Sequence, residues 1–404
     1  VSEAADFGRI VLIAAVGFAA AILSSRISER LRLPAPALFL AAAAVASDLV
    51  PGLGDVLSVR DVERIGVVAL IVILFDGGLQ IGWARARQSL MPIIGLGVAG
   101  TFAVAGLIAI AMHGPFGLSW TSALLVGAAL APTDPAVMFS VLGGREVAGR
   151  SGVILQGESG ANDPVGIALM LGLLEVATAD GSWSTIVVSF VVAMAVGLAV
   201  GVLGGLLLAR LIRRHALPDA ALYPLQTLAA AGIIYGLASV LHGSGFLAVF
   251  VAGLLIAEVR APFKVEIVQF HTALASLAEI VVFVALGLTV QLSALDRHGV
   301  VIDGLLIALL LTFVIRPAVV VALLAPVRLA RGEKLFVAWA GLRGAVPILL
   351  AAFALLEGAP DARRIYGLVF VVVMFSVVVQ GTLVQTIARL TGVPMQRVAQ
   401  DPWK

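Results

Sequence analysis

Apolar stretches of about 20 residues, each long enough to cross a hydrocarbon core of about 30 Å, recur between short polar or Gly/Pro breaks along the whole 404-residue chain. In lipid the backbone must satisfy its own donors and acceptors, so such a chain folds as a bundle of helices. Thirteen spans are expected, near residues 8–28, 35–50, 62–81, 90–112, 120–142, 151–177, 184–212, 219–241, 245–258, 267–291, 301–326, 334–357 and 363–390. The second and ninth are short. With 61% hydrophobic and 12% charged residues, the composition excludes an ordinary soluble domain, whose apolar share is nearer ~45–50%. The absence of cysteine excludes disulfides, thiolate catalysis and cysteine metal sites. No basic run points to nucleic acid, and the first residues, VSEAADFGRIVLIAAVGF, lack the basic start of a signal peptide.

Assigning each Lys and Arg to a side of this thirteen-span arrangement places 18 on one side, 6 on the other and 2, Arg316 and Arg343, within spans. Basic loops stay cytoplasmic, so the N-terminus is expected outside and the C-terminus inside. Comparing span n with span n+7 reveals a second regularity: LFDGGLQIG in span 3 parallels FVALGLTVQLS in span 10, and span 5 is broken by APTDPAV as span 12 is by GLRGAVP. An offset of seven reverses the direction of crossing. Two inverted repeats with crossed, unwound helices in spans 5 and 12 are expected, and such paired interruptions point to a transporter site.

An ionisable side chain at membrane depth costs about 2.5–3.5 kcal/mol on insertion scales, so each needs a reason. Those within spans are Asp76, Asp134, Glu158, Asp163, Glu279, Arg316 and Arg343. At about 1.5 Å rise per residue, Asp163 falls near the middle of span 6, and Asp134, Arg343, Arg316 and Asp76 fall within about 3–7 Å of the same depth. One shared cavity explains that agreement. In GESGANDP of span 6, Ser159 and Asp163 form one i,i+4 pair, and Glu158 and Asn162 a second, about 100° round the helix. Ser159 and Asp163 are read toward a water-accessible site, Glu158 toward an arginine, and Asn162 toward the neighbouring broken helix. Both Arg343 and Arg316 are candidates for that arginine by depth. Pro132 and Pro135 remove donors around Thr133 and Asp134, freeing carbonyls that can coordinate a cation. Oxygen ligands from Asp163, Ser159, Thr133 and Asp134 suit a hard monovalent cation.

Plainer readings stand beside these. Glu158 is read as half of a structural ion pair, Asp76 equally as packing or as a ligand, and Glu279 as a salt-bridge or proton-path residue without an assigned partner. Ser159 can instead bond its own helix carbonyl. Gly197, Gly201 and Gly205 read as helix packing. GESG formally matches a serine-hydrolase motif, with His242 as a conceivable base, but the two fall about 20 Å apart in depth. A cation channel could use the same oxygens.

APTDPAV, GESGANDP, FVIRP and WAGLRGAVPILLA, in this order on the expected spans, resemble the monovalent cation/proton antiporter superfamily. The likeness covers the whole chain and falls in the branch with an Asn-Asp pair in span 6, most like bacterial cell-volume-regulation potassium/proton antiporters. It implies an all-α exchanger in a bacterial inner membrane. K⁺ (Na⁺ being the alternative) exchanges electroneutrally for H⁺, by an elevator-type movement in a homodimer, with no cofactor. A core would comprise spans near 62–177, 267–291, 301–326 and 334–390, and a dimerisation domain those near 8–50 and 184–258. Residue by residue, the likeness makes Asp163 the transport carboxylate, with Ser159, Thr133, Asp134 and Asp76 around the ion. Asn162, Glu158, Arg343 and Arg316 would hold the core. Relatives of this type usually continue into a cytoplasmic regulatory domain, and the sequence stops soon after span 13. One carboxylate that holds a proton or a cation, but not both well, couples the two gradients.

Overall fold

The computed structural model describes residues 34–397 apart from residues 51, 55, 141, 143–144, 179–182, 291 and 296–298, together with residues 8, 15 and 19. The first expected span, 8–28, therefore lies almost wholly outside the described residues. The other twelve are mainly helical where described. Apart from the single turn Leu292–Leu295, the helices in chain order are α1 (Ala35–Leu49), α2 (Val59–Ile81), α3 (Trp83–His113), α4 (Trp120–Leu130), α5 (Pro135–Ser140), α6 (Gly149–Thr178) and α7 (Trp183–Arg214). They continue as α8 (Leu222–Val240), α9 (Gly245–Ile256), α10 (Lys264–Leu288), α11 (Val300–Leu324), α12 (Arg331–Trp339), α13 (Ala345–Leu356) and α14 (Ala362–Thr391). Among the described residues, 8 helices are long and apolar enough to cross a membrane, and α1, α4, α9 and α13 are shorter apolar helices. The fifth and twelfth expected spans are each two helices with a break between them: α4 and α5, then α12 and α13.

Local chemistry explains the ends that matter. Ser58 starts α2 by accepting from the Asp61 amide at 3.2 Å, while the Asp61 carboxylate accepts from the Ser58 amide at 3.0 Å. This reciprocal box satisfies two of the orphan donors at a helix start. Gly82, at φ +71°, ends α2 in a conformation that an L side chain rarely adopts. The Glu258 carboxylate then receives the Ala84 amide at 2.9 Å and fastens the turn into α3 to the end of α9.

Glycines set how closely the helices approach. A Cβ on Gly197 or Gly201 would lie 2.6 Å from the Ser244 or Ala248 carbonyl oxygen, and one on Gly205 3.1 Å from the Ala252 Cα. This stripe is the seam between α7 and α9, in keeping with the packing reading. Gly78 of α2 and Gly253 of α9 meet in the same way, each against the other helix's backbone. The outward faces stay apolar, with Val187, Val188 and Val191 of α7 and Ile302 and Leu306 of α11 exposed, as lipid-facing positions require.

Three helices contain a π turn: Gly95–Gly100 in α3, Leu311–Ile315 in α11 and Ser376–Gln380 in α14. Each adds a residue to one turn, and such turns gather at functional sites. Two of them fall in the fourth and eleventh spans, the pair related by the seven-span offset. A two-stranded antiparallel clip, β1 (Arg145–Val147) with β2 (Met395–Arg397), pairs Glu146 with Gln396 and ties the entry of α6 to the chain after α14.

Candidate functional site

The two breaks lie against each other. α4 stops at Leu130 and α12 at Trp339, and the intervening residues 131–134 and 340–344 are not helical. Each break leaves donors and acceptors that the interrupted helix would have used. The Asp134 amide donates to the Leu342 carbonyl at 2.7 Å, so one break satisfies the other. Arg343, 1% exposed, donates from Nε to the Leu130 carbonyl at 3.1 Å and from Nη1 to the Gly341 carbonyl. Its guanidinium thus sits on the carbonyl end of α4, where the helix dipole favours positive charge. A Cβ on Gly344 would run into the Asp134 carboxylate, which explains a glycine there.

Two side chains from the π turn of α14 hold the second break, and sequence reasoning missed both. Ser376 Oγ accepts the Arg343 amide at 2.9 Å and donates to Gln380 Oε1 at 3.0 Å. Gln380, 1% exposed, donates from Nε2 to the Trp339 carbonyl at 2.5 Å, and its own carbonyl accepts the Trp339 indole at 3.2 Å. The available signal was an amide set in the apolar run VVVQGT, since buried polar groups demand partners.

α6 runs unbroken through Pro164 and presents its polar residues to this junction. Ser159 Oγ donates to the Thr133 carbonyl at 2.7 Å, not to its own helix, and Asn162 Nδ2 donates to the Thr133 hydroxyl at 2.8 Å. Both bonds hold the first break against α6. Glu158 pairs with Arg316 through both carboxylate oxygens, Nη2 to Oε2 at 2.9 Å and Nη1 to Oε1, with the two side chains 1% and 2% exposed. Arg343, the other candidate by depth, caps carbonyls instead. The guanidinium of Arg316 also packs against Gly341, where a Cβ would lie 2.5 Å from Nε. The ion pair therefore braces the second break as well as α6.

Asp163 is 6% exposed, and its Oδ1 has no hydrogen-bond partner among the described residues. It lines a cavity of about 350 Å³ together with Asp134, Ser159, Asp76 and Glu279. Asp76 is tied to the opposite wall: Gln80 Nε2 donates to its Oδ2 at 2.5 Å and Thr272 Oγ1 to its Oδ1 at 3.0 Å. Lining residues such as Gln80, Ser140 and Thr272 are exposed, whereas Val282, Phe283 and Leu349 are buried. The cavity therefore opens at the end of the bundle where Arg85 and Arg150 lie, and it is closed at the other. Thr133, Asp134, Ser159 and Asp163 are brought together as ligand candidates, Asp76 stands across from them, and Asn162, Glu158, Arg316 and Arg343 form the scaffold. His242 belongs to the turn after α8, and the Ser159 hydroxyl is committed to a carbonyl.

Known proteins share this arrangement of chain. The family model described as sodium/hydrogen exchanger, transmembrane, matches residues 17–390. The K(+)/H(+) antiporter NhaP of Alkalimonas amylolytica is 37% identical over 389 residues, which is 94% of this chain and 66% of that protein. The K(+)/H(+) antiporter NhaP2 of Shewanella baltica (strain OS223) is 34% identical over 402 residues, covering 97% and 68%. The Na(+)/H(+) antiporter ApNhaP of Aphanothece halophytica is 27% identical over 344 residues, covering 82% and 65%. The chain spans about two thirds of the length of these relatives. The sodium proton antiporter MjNhaP1 from Methanocaldococcus jannaschii superposes with a TM-score of 0.79 at 22% identity, covering 98% of this chain and 100% of that one, a likeness of fold.

Proposed function

The chain belongs to the sodium/hydrogen exchanger family, and we propose from its site that it exchanges a monovalent cation for H⁺ across a bacterial inner membrane. The observation that carries this reading is Asp163 Oδ1: a buried carboxylate oxygen without a donor, at the closed part of a water-accessible cavity, beside two interrupted helices. A buried unpartnered carboxylate is costly, and a proton or a cation relieves that cost equally in charge. Competition for one group makes the exchange obligatory. When the cation enters, the Ser159 hydroxyl oxygen and the Thr133–Asp134 break offer further oxygens, and the proton leaves. The likeness to the branch with an asparagine before the transport aspartate, here Asn162 before Asp163, implies one cation for one proton, which leaves the membrane potential unaffected.

K⁺ is the favoured cation because relatives at 34–37% identity are named K(+)/H(+) antiporters. Na⁺ is the alternative, supported by the relative named a Na(+)/H(+) antiporter. In the orientation expected from the basic loops, the cavity faces the cytoplasm. Movement of the core spans near 62–177, 267–291, 301–326 and 334–390 against the dimerisation spans near 8–50 and 184–258, in a homodimer of thirteen-span protomers with the two broken spans crossed, would then expose Asp163 to the outside. A cavity closed at one end fits alternating access better than a continuous pore.

The test is purified protein in liposomes with a trapped pH dye. Imposed gradients of K⁺ or Na⁺ are expected to move protons well above protein-free liposomes, and parallel runs with Li⁺ and Rb⁺ rank the cations. No cation-dependent proton movement with any of the four would reject the reading.

A further inference from the structure

The cavity is lined by two matching helical stripes. On α6 they are Gln156, Ser159, Gly160 and Asp163, and on α10 Thr272, Ala275, Ser276 and Glu279. Both sets are spaced i, i+3, i+4, i+7, the signature of one helix face. Above Glu279 the α10 stripe continues as Val282 and Phe283, both buried, so Glu279 is its last polar member. Asp163 holds the same position on α6. Both helices start at the basic end of the bundle, Asp163 14 residues after Gly149 and Glu279 15 residues after Lys264. At about 1.5 Å per residue they stand about 21 and 23 Å in, at one level on facing walls.

Asp134 is close enough to interact electrostatically with both. Asp76, on the same wall as Glu279, has each oxygen occupied by a donor. Glu279 differs: its Oε1 is buried and has no hydrogen-bond partner, and no ion pair involves it among the described residues. A structural carboxylate would have a partner of the kind Glu158 has. Instead Glu279 joins Asp163, itself nine-tenths buried with an unpartnered oxygen, at the closed part of the cavity.

We propose that Glu279 is a specificity-determining carboxylate of the transport site, facing the cation from the α10 wall while Asp163 holds it from α6. This rests on the exchanger reading and deepens it. The α6 ligands are fixed by the Ser159 and Asn162 bonds to the break and so set a rigid half-site. Glu279, on a longer side chain from the other wall, sets the distance across which the ion is held, and distance is what separates K⁺ from Na⁺ when every ligand is oxygen. It need not exchange a proton in the cycle, which preserves one-for-one stoichiometry.

The experiment is exchange by the full chain in liposomes, reading KM and maximal rate for K⁺ and Na⁺ in the parent, Glu279→Gln and Glu279→Asp. Removing a facing charge in a low-dielectric cavity is expected to raise the cation KM about tenfold or more in Glu279→Gln, with the maximal rate within about twofold. Glu279→Asp, which keeps the charge but draws it back, is expected to recover much of the affinity and to change the K⁺/Na⁺ ratio. KM values for both cations within about twofold of the parent in Glu279→Gln would overturn the proposal. If Glu279→Gln yields no folded protein, an unchanged K⁺/Na⁺ ratio in Glu279→Asp does the same. A parent that moves no protons defeats the exchanger reading itself, so the two failures are distinguishable.

Discussion

Asp163→Asn protein should fold and purify like the parent yet move protons in liposomes no faster than protein-free controls. The amide has almost the carboxylate's shape and keeps an acceptor oxygen, so packing against the first break survives. What it loses is the ability to exchange a proton for a cation. Because Oδ1 of Asp163 lacks a donor, the substitution removes a buried charge without breaking a hydrogen bond to that atom. Thermal unfolding in detergent should therefore show a Tm equal to or above the parent's. Activity lost together with a large fall in Tm would mean that Asp163 is a structural residue, and retained exchange would remove it from the mechanism.

Arg316→Met should have the opposite signature, a loss of folded protein. It leaves Glu158, 1% exposed, without its guanidinium, and breaking a buried pair on one side costs about 3–5 kcal/mol. The contact with Gly341 in the second break goes with it. Replacing both partners, Glu158→Leu with Arg316→Met, removes the stranded charge and should recover most of the lost stability. The comparison is read as thermal unfolding of the two single variants, the double variant and the parent. A single Arg316→Met as stable as the parent would show that the pair does not brace the bundle. Equal instability of the double variant would assign the loss to packing instead of charge.

Much of this architecture is legible in the residues because membrane chemistry leaves few solutions. Length and apolarity predict the spans, and the prolines of APTDPAV and the glycines of GLRGAVP predict the two breaks, since both disturb the helical ladder wherever they occur. The 3.6-residue period separates Glu158 from Ser159 in GESGANDP, and Glu158 meets Arg316, but Ser159 and Asn162, from different stripes, both meet Thr133. The choice between Arg316 and Arg343 was not legible, because depth is a one-dimensional coordinate and the two differ in direction. Arg316 follows the π turn Leu311–Ile315, which resets the helix face, and π turns have no period of their own to detect. Gln380 and Ser376 escaped for the same reason: they face the break from the π turn of α14. The clip between Arg145–Val147 and Met395–Arg397 joins segments some 250 residues apart, a pairing that no local pattern announces.

Cation and proton compete for Asp163 in this account, and the most direct test is the cation dependence of proton movement at several pH values in liposomes held at zero membrane potential. On the acid side of the optimum the cation KM should rise as pH falls, approaching about tenfold per pH unit, while saturating cation restores the same maximal rate. Contradiction would be a KM independent of pH with a maximal rate that falls and cannot be restored by cation, which would place the proton on a group other than the one that holds the ion.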